Sequence, residues 1–442
     1  MFPRSKHTAW CTLVALLVLA ACTTPTSLPG TPLPPTPAPQ DTSTPTVSPE
    51  VPTPTVMDSS PTPVEASKTP TGVHGTGTPT SEPPGSLPPI SPENAAMVQK
   101  IARVVDQGLA GFTWSSRGDW LAVAGAEGVT VYSPDDLGEA GGEEPAGGSF
   151  VPTGPVNPAD VFLSPGGQTL GVLLIDEFAV QLWDVASGEM TGTLAWTEHA
   201  APVLYGVAFS PDWRSLAWYT RGTLQFMDVA SGALGSTVNY EEFIQAVAFS
   251  DEGDFFASAT LGTVQGDFIP VVQVWDVDDG EPFTTLSGHE ITVTLLRFSP
   301  DGRFLAAATF EGNVAVWQVA QGQLLQVLDG HSAGVQEMAF TGDGQHLVVV
   351  SPDGSARYWD LASGEELRSW QGMQAAVSPD GSLLAFQSSA GEMMLIDPAS
   401  GEELRGLETP ASLSLLSFSP EGKFLAGLSP EEPALHLWGV PE

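Results

Sequence analysis

The chain has 442 residues, 42% of them hydrophobic, enough apolar material for one large repeat protein or two to three ordinary domains and too much for a chain disordered throughout. Its 52 acidic residues against 14 Lys and Arg give a formal net charge of −38, so its long-range field opposes phosphate backbones and anionic headgroups, and no nucleic-acid partner is expected. The acidity reads as a well-solvated surface that resists aggregation.

Arg4, Lys6 and His7 precede an apolar run from Ala9 to Leu19 that is too short to span a bilayer comfortably and has the layout of a secretory signal. The run ends in LAAC, Leu19 to Cys22, which resembles the bacterial lipobox. That resemblance implies a signal peptide over 1–21, diacylation of Cys22, and an extracytoplasmic place in the cell envelope with membrane contact through the N-terminal lipid only. Cys11 and Cys22 are the only cysteines, so the mature chain would have no disulfide. Residues 22–94 are Pro, Thr and Ser with little that is apolar, as in TPTSLPGTPLPPTPAPQ, and are expected to form a disordered linker biased to polyproline II. The GxG of HGTGTPT lies there without a strand before it or a helix after it, so it is no phosphate loop.

From residue 95 to 442 the chain repeats. AFSPDWRSLA, AFSDEGDFFA, RFSPDGRFLA, AFTGDGQHLV, AVSPDGSLLA and SFSPEGKFLA align, and TWSSRGDWLA and FLSPGGQTLG keep the same frame. The residues before the Ser or Thr run from Trp114 to Phe418, 304 residues in seven steps, or about 43 residues per copy, the spacing of propeller blades. Each copy reads as a strand, a tight turn with Pro and Asp presetting and capping it and Gly taking positive φ, a second strand, and a third strand. Turns of the DVASGE kind then follow Trp183, Met227, Trp275, Trp317, Trp359 and Ile396 and lead to a fourth strand.

The endings VQLWD, VQVWD and ARYWD, the pairs Gly288-His289 and Gly330-His331, and the period together resemble the WD40-repeat β-propellers. The resemblance implies an all-β fold of eight blades, or seven if the degenerate second copy is an insertion. It also implies a buried structural tetrad of His, Ser or Thr, Asp and Trp. One copy keeps all four as His331, Ser351, Asp353 and Trp359, with Asp353 orienting His331 and the bonds running on through Ser351 to the Trp359 indole. A partial tetrad is His289, Thr309, Glu311 and Trp317, with Glu in place of Asp. Around His199 the matching residues are Thr220 and Met227, with no acid. The last copy stops after its third strand at Trp438, so Met97 to Val105 is expected to supply the missing fourth strand and remove an open edge. The stretch SPDDLGEAGGEEPAGGSFVPTGPVNP is read as an acidic, glycine-rich loop, and LGTVQGDFIP as an insertion widening the fourth copy.

No catalytic constellation is legible. DVDDGE at Asp276 to Glu281 sits in a hairpin frame and lacks the alternating ligands of a calcium loop. The propeller histidines 199, 289, 331, 346 and 436 form no HExxH, nucleophile elbow or Cys/His pair. No metal and no cofactor is expected. The favoured function is a non-enzymatic platform, a monomeric propeller that binds an unidentified protein or peptide partner. The alternative is a quinoprotein-like enzyme or a small-ligand-binding propeller using the central channel, since D-x-x-SG-E-x-L turns are similar to that family's repeats. Trp370 alone follows its turn as that family's docking tryptophans do. The candidate contact residues are Tyr205, Trp218, Tyr219, Arg221, Phe243 and Phe310, because aromatics and Arg make the strongest anchors; packing within the blades is the competing reading.

Overall fold

The computed structural model describes residues 88–442 apart from 107, 139–144, 146, 158–159, 197–203, 221, 240–242, 265–266, 278–279, 288–291, 411, 430–432 and 441–442. Cys22, the linker to residue 87, His199, His289 and Arg221 lie outside the described residues. The rest forms eight four-stranded antiparallel sheets, the blades, numbered here from the N-terminus. Blade 5 is typical, with strands Val293–Phe298, Phe304–Thr309, Val314–Gln318 and Gln323–Leu328.

Burial along each blade follows from its position in a stack. The second strand of blade 5 is Leu305, Ala306, Ala307 and Ala308 without any exposed position, because both faces of that sheet are covered by neighbouring blades. Small alanines let those sheets approach closely. The fourth strand of blade 3, Leu234–Asn239, is almost entirely exposed and correspondingly polar, as an outer edge must be. Eight apolar clusters fill the eight gaps between blades, the one joining Leu121 and Val123 of blade 1 to Phe424 and Leu437 of blade 8 completing the circle.

The repeated turns hold by one device. In blade 5 the Ser299 hydroxyl donates to Asp301 at 2.6 Å and accepts from the Phe304 amide at 2.9 Å, closing the reversal between the first two strands. Blade 3 carries Trp213 where the other seven copies have glycine, and Trp213 takes the same left-handed conformation at φ 63°, which costs a non-glycine residue about 1 kcal/mol. Its ring stacks on Phe209 at 4.0 Å, an apolar contact that offsets the strain.

Blade 8 combines both ends of the domain. Leu415–Phe418, Phe424–Ser429 and Ala434–Gly439 come from the C-terminal side, and Gln99–Val105 pairs antiparallel with Ala434–Gly439 as the fourth strand. This is the expected closure, and the blade number is eight. Two readings need correction. The acidic stretch after Tyr132 is not all loop, since it contains a one-turn helix at Pro134–Gly138 and the fourth strand of blade 1 at Ser149–Val151. The insertion in the fourth copy lengthens rather than widens its blade. Its second and third strands, Phe255–Val264 and Asp267–Asp276, pair over their whole length as an extended hairpin.

Candidate functional site

Two sets of connections share one side of the propeller: the turns between second and third strands, and the segments leading from one blade to the next. On that side, blade 6 consists of Glu337–Phe340, His346–Val350, Ser355–Asp360 and Glu366–Gln371, and the segment before it carries His331. Asp353 Oδ2 lies 3.4 Å from His331 Nδ1 and accepts the Ser332 amide at 2.9 Å, while Oδ1 accepts both the amide and the hydroxyl of Ser355, at 2.8 and 2.6 Å. The single hydroxyl hydrogen of Ser355 is thereby committed. The 2.9 Å contact between Ser355 Oγ and His331 Nδ1 therefore places the imidazole proton on Nδ1, which donates. Burial pushes Asp353 upward, but the hydrogen bonds from Ser355 and Ser332 and the nearby His331 outweigh it and hold the carboxyl at about 2. Burial lowers His331 against the opposing pull of Asp353 and keeps the ring neutral.

The network does not continue as the sequence suggests. Ser351 Oγ donates to the Gly334 carbonyl at 2.9 Å and receives the Asp353 amide; it fixes the lead-in segment and does not reach Trp359. The indole N–H of Trp359 is buried without a partner among the described residues. Strand register supplies the reason. Trp359 pairs with Leu347, so Ser351 stands four residues beyond its partner and projects past the indole. In blade 4, Trp275 pairs with Phe256, and its indole donates to Ser258, two residues beyond, at 3.0 Å. The position two beyond is Val349 in blade 6 and Ala307 in blade 5. Trp317, fully buried, donates instead to the Ser287 carbonyl at 2.9 Å. Thr309 caps its own turn by accepting the Asn313 amide at 3.2 Å, and Glu311 is exposed. The working residues missed in the sequence are thus Ser355, directly after the SPDG turn, and Ser258, whose offset from Trp275 is the signal.

The contact candidates separate by burial. Trp218 is only 3% exposed and stacks on Trp196 at 5.3 Å, so it is a packing residue of the gap between blades 2 and 3 and not a surface anchor. Tyr219 is half-buried over Gly206, where a Cβ would lie 2.7 Å from its hydroxyl, and burial raises its ionisation above the usual value. Phe243 is half-buried, and Tyr205 lies at an irregularity of its strand pairing. Trp370 packs against the apolar cluster between blades 6 and 7. Phe310 differs: it is 71% exposed at the turn between the second and third strands of blade 5. That turn is braced by the His331 segment, because any side chain on Gly312, at φ 94°, would meet the Ala333 carbonyl at 2.3 Å. Met373, 46% exposed, is on the same side in the segment between blades 6 and 7. Among the described residues no group of three or more His, Cys, Asp or Glu is arranged to hold a metal ion.

Comparison with known proteins agrees with this architecture. The sequence model of the family described as WD domain, G-beta repeat, matches residues 280–318 and 322–360, which cover the third strands and tryptophans of blades 5 and 6. The chain is 32% identical over 164 residues to the WD repeat-containing protein SL1-17 of Schistosoma mansoni, a match covering 32% of this chain and 49% of that protein. It is 27% identical over 161 residues to a periodic tryptophan protein 2 homolog of Dictyostelium discoideum, covering 34% of this chain and 16% of the relative. The chain therefore spans about half or less of the length of these relatives. The crystal structure of the computationally designed Ika8 protein superposes with a TM-score of 0.56 at 18% identity, over 77% of this chain and all of the designed one.

Proposed function

We propose that this chain, a β-propeller carrying WD40 repeats, is a non-enzymatic interaction platform for a protein or peptide partner, held outside the cytoplasmic membrane by a diacylated Cys22. The observation that carries the interaction reading is Phe310, a large aromatic 71% exposed on a turn whose backbone packs closely against the segment from His331 to Gly334. An aromatic anchor fixed before binding loses little conformational entropy on association and gains most when a partner desolvates it. The Asp353 carboxylate, which accepts the Ser332 amide beside His331, and the Ser351 hydroxyl, which donates to the Gly334 carbonyl, hold the adjoining segment from His331 to Gly334, so the platform around Phe310 is formed in advance. The anchor reading rests on the LAAC sequence at the end of the apolar N-terminal run.

Affinity capture from the cell envelope of the native host tests the first part. Phe310→Ala is expected to weaken capture about tenfold, roughly 1.4 kcal/mol, without lowering the melting temperature. Capture equal to that of the wild type would remove this face from the proposal. Cys22→Ser tests the second part and is expected to release a folded protein from membranes; a variant that stays membrane-bound refutes the lipid anchor.

A further inference from the structure

The first strands of blades 1, 5, 6, 7 and 8 line a cavity of about 400 Å³ at the propeller axis, within the range of small-ligand sites. About half of its wall is apolar, including Trp114 of blade 1, Leu295 of blade 5 and Phe418 of blade 8. Two ionisable side chains stand in that wall, Arg297 from blade 5 and Glu337 from blade 6. Elsewhere these inner strands are built from residues such as Val, Ala and Phe, so a guanidinium and a carboxyl here are departures from the repeat.

The two groups do not satisfy each other. Among the described residues they form no ion pair, and the Arg297 guanidinium makes no hydrogen bond. Glu337 accepts the Val377 amide at 3.2 Å and leaves its other oxygen uncommitted. Burial raises the Glu337 carboxyl to about 7, against the opposing effects of the Val377 amide and the Arg297 charge. Of the strands packed against that of Glu337, Val293–Phe298 contributes Arg297 and Gln374–Val377 contributes no charge. His346–Val350 carries only His346, which is 3.7 Å from Asp360. Asp160, at the matching position ahead of the first strand of blade 2, is also raised by burial and does not line the cavity. Near neutral pH the cavity therefore holds a guanidinium whose neighbouring acid is largely or partly protonated, an arrangement that lacks one negative charge.

We propose that the central cavity binds a small organic carboxylate, its charged end accepting hydrogen bonds from Arg297 and from the protonated Glu337, and its apolar body lying against Trp114, Leu295 and Phe418. A bound amine would sit beside the guanidinium and be repelled, which decides the sign of the ligand. Ionisation of Glu337 removes a donor and adds a repelling charge, so binding takes up a proton and weakens as pH rises. For a carboxyl titrating near 7, the protonated fraction falls about tenfold between pH 6 and pH 8, and affinity falls by the same factor.

Calorimetric titration of the full chain with benzoate, at about 0.15 M salt to screen the acidic surface, is the test. Binding about tenfold tighter at pH 6 than at pH 8 is expected, with Glu337→Gln binding equally at both, since its amide donates at either pH. Arg297→Gln is expected to abolish binding; should it fail to fold, the wild type titrated at pH 7 in two buffers of different ionisation heat must show uptake of about half a proton. No saturation by about 10 mM benzoate at pH 6, equal affinity at the two pH values, zero proton uptake, or preferential binding of benzylamine each overturns the proposal.

Discussion

Replacing Glu337 by glutamine should stabilise the propeller, and by an amount that depends on pH. The carboxyl is raised from its ordinary 4.5 to about 7 in the folded chain, so the native state holds its proton over a range in which the unfolded chain has released it. Below about pH 4.5 both states are protonated and the residue makes no difference. Between 4.5 and 7 the native state binds more protons than the unfolded one, and stability falls as pH rises. Above about 7 both are ionised and the fold bears the whole cost, ~3 kcal/mol for a displacement of this size. Glutamine retains an oxygen to accept the Val377 amide and has nothing to ionise. Urea denaturation of wild type and variant, followed by tryptophan fluorescence at pH 4.5, 6 and 8, should give a difference near zero at the lowest pH and of order 3 kcal/mol in favour of glutamine at the highest. Taking the difference between the two proteins cancels the acidic surface they share. A gap that stays constant with pH, or one that favours glutamate at pH 8, would show that the axial carboxyl is not desolvated as described.

Asp353→Asn should cost about 1–3 kcal/mol in a denaturant titration, because the Ser332 amide and the Ser355 hydroxyl lose a charged acceptor; loss of partner capture at unchanged stability would instead mark Asp353 as a contact residue. The stabilisation from Asp353 should be present above about pH 4 and fade as pH falls through about 2, so wild type and variant should converge in acid. Ser258→Ala should lower stability by about 1–2 kcal/mol by removing the hydroxyl that accepts the Trp275 indole N–H, whereas Ser351→Ala should leave the fluorescence of Trp359 unaltered. Deleting Gln99–Val105 should lower the melting temperature far more than deleting an equal length of the Pro-, Thr- and Ser-rich sequence before residue 88, since the first removes a paired strand; equal losses would contradict the pairing in blade 8.

The blade count and the ring closure were legible because they depend on features that sequence displays directly: a 43-residue period and turns whose Pro, Asp and Gly have fixed backbone demands. The hydrogen-bond network was only half legible. Its members were identified by residue type, but which hydroxyl meets an indole is set by strand register, and an error of two residues selects Ser351 where the geometry of blade 4 points to the place of Val349. Trp218 misled for a related reason. It stands among the contact candidates because aromatics make strong anchors, but residue type does not report facing, and the second strand of blade 3 is covered on both sides, so a large ring there packs between blades. Arg297 and Glu337 did leave a trace, as charges inside otherwise apolar first strands. They stand one and three residues before their repeat anchors, so no single column of the repeat shows them together.

The strand Gln99–Val105 has a consequence for how the molecule is made. Gln99 pairs with Gly439 and Val105 with Ala434, so partners in this ladder lie 340 and 329 positions apart, and the first blade strand to leave the ribosome waits for the last. Seven blades can assemble from neighbours in sequence as the chain emerges; the eighth cannot begin to hold its N-terminal strand until Ala434–Gly439 has been made. Through that interval a partly made chain carries a strand without its sheet, and two such chains side by side each offer what the other lacks, the condition for exchange of the strand between copies. A chain cut short before residue 434 never gains the partner, so a late stop codon yields an open arc with exposed edges and not a slightly smaller ring.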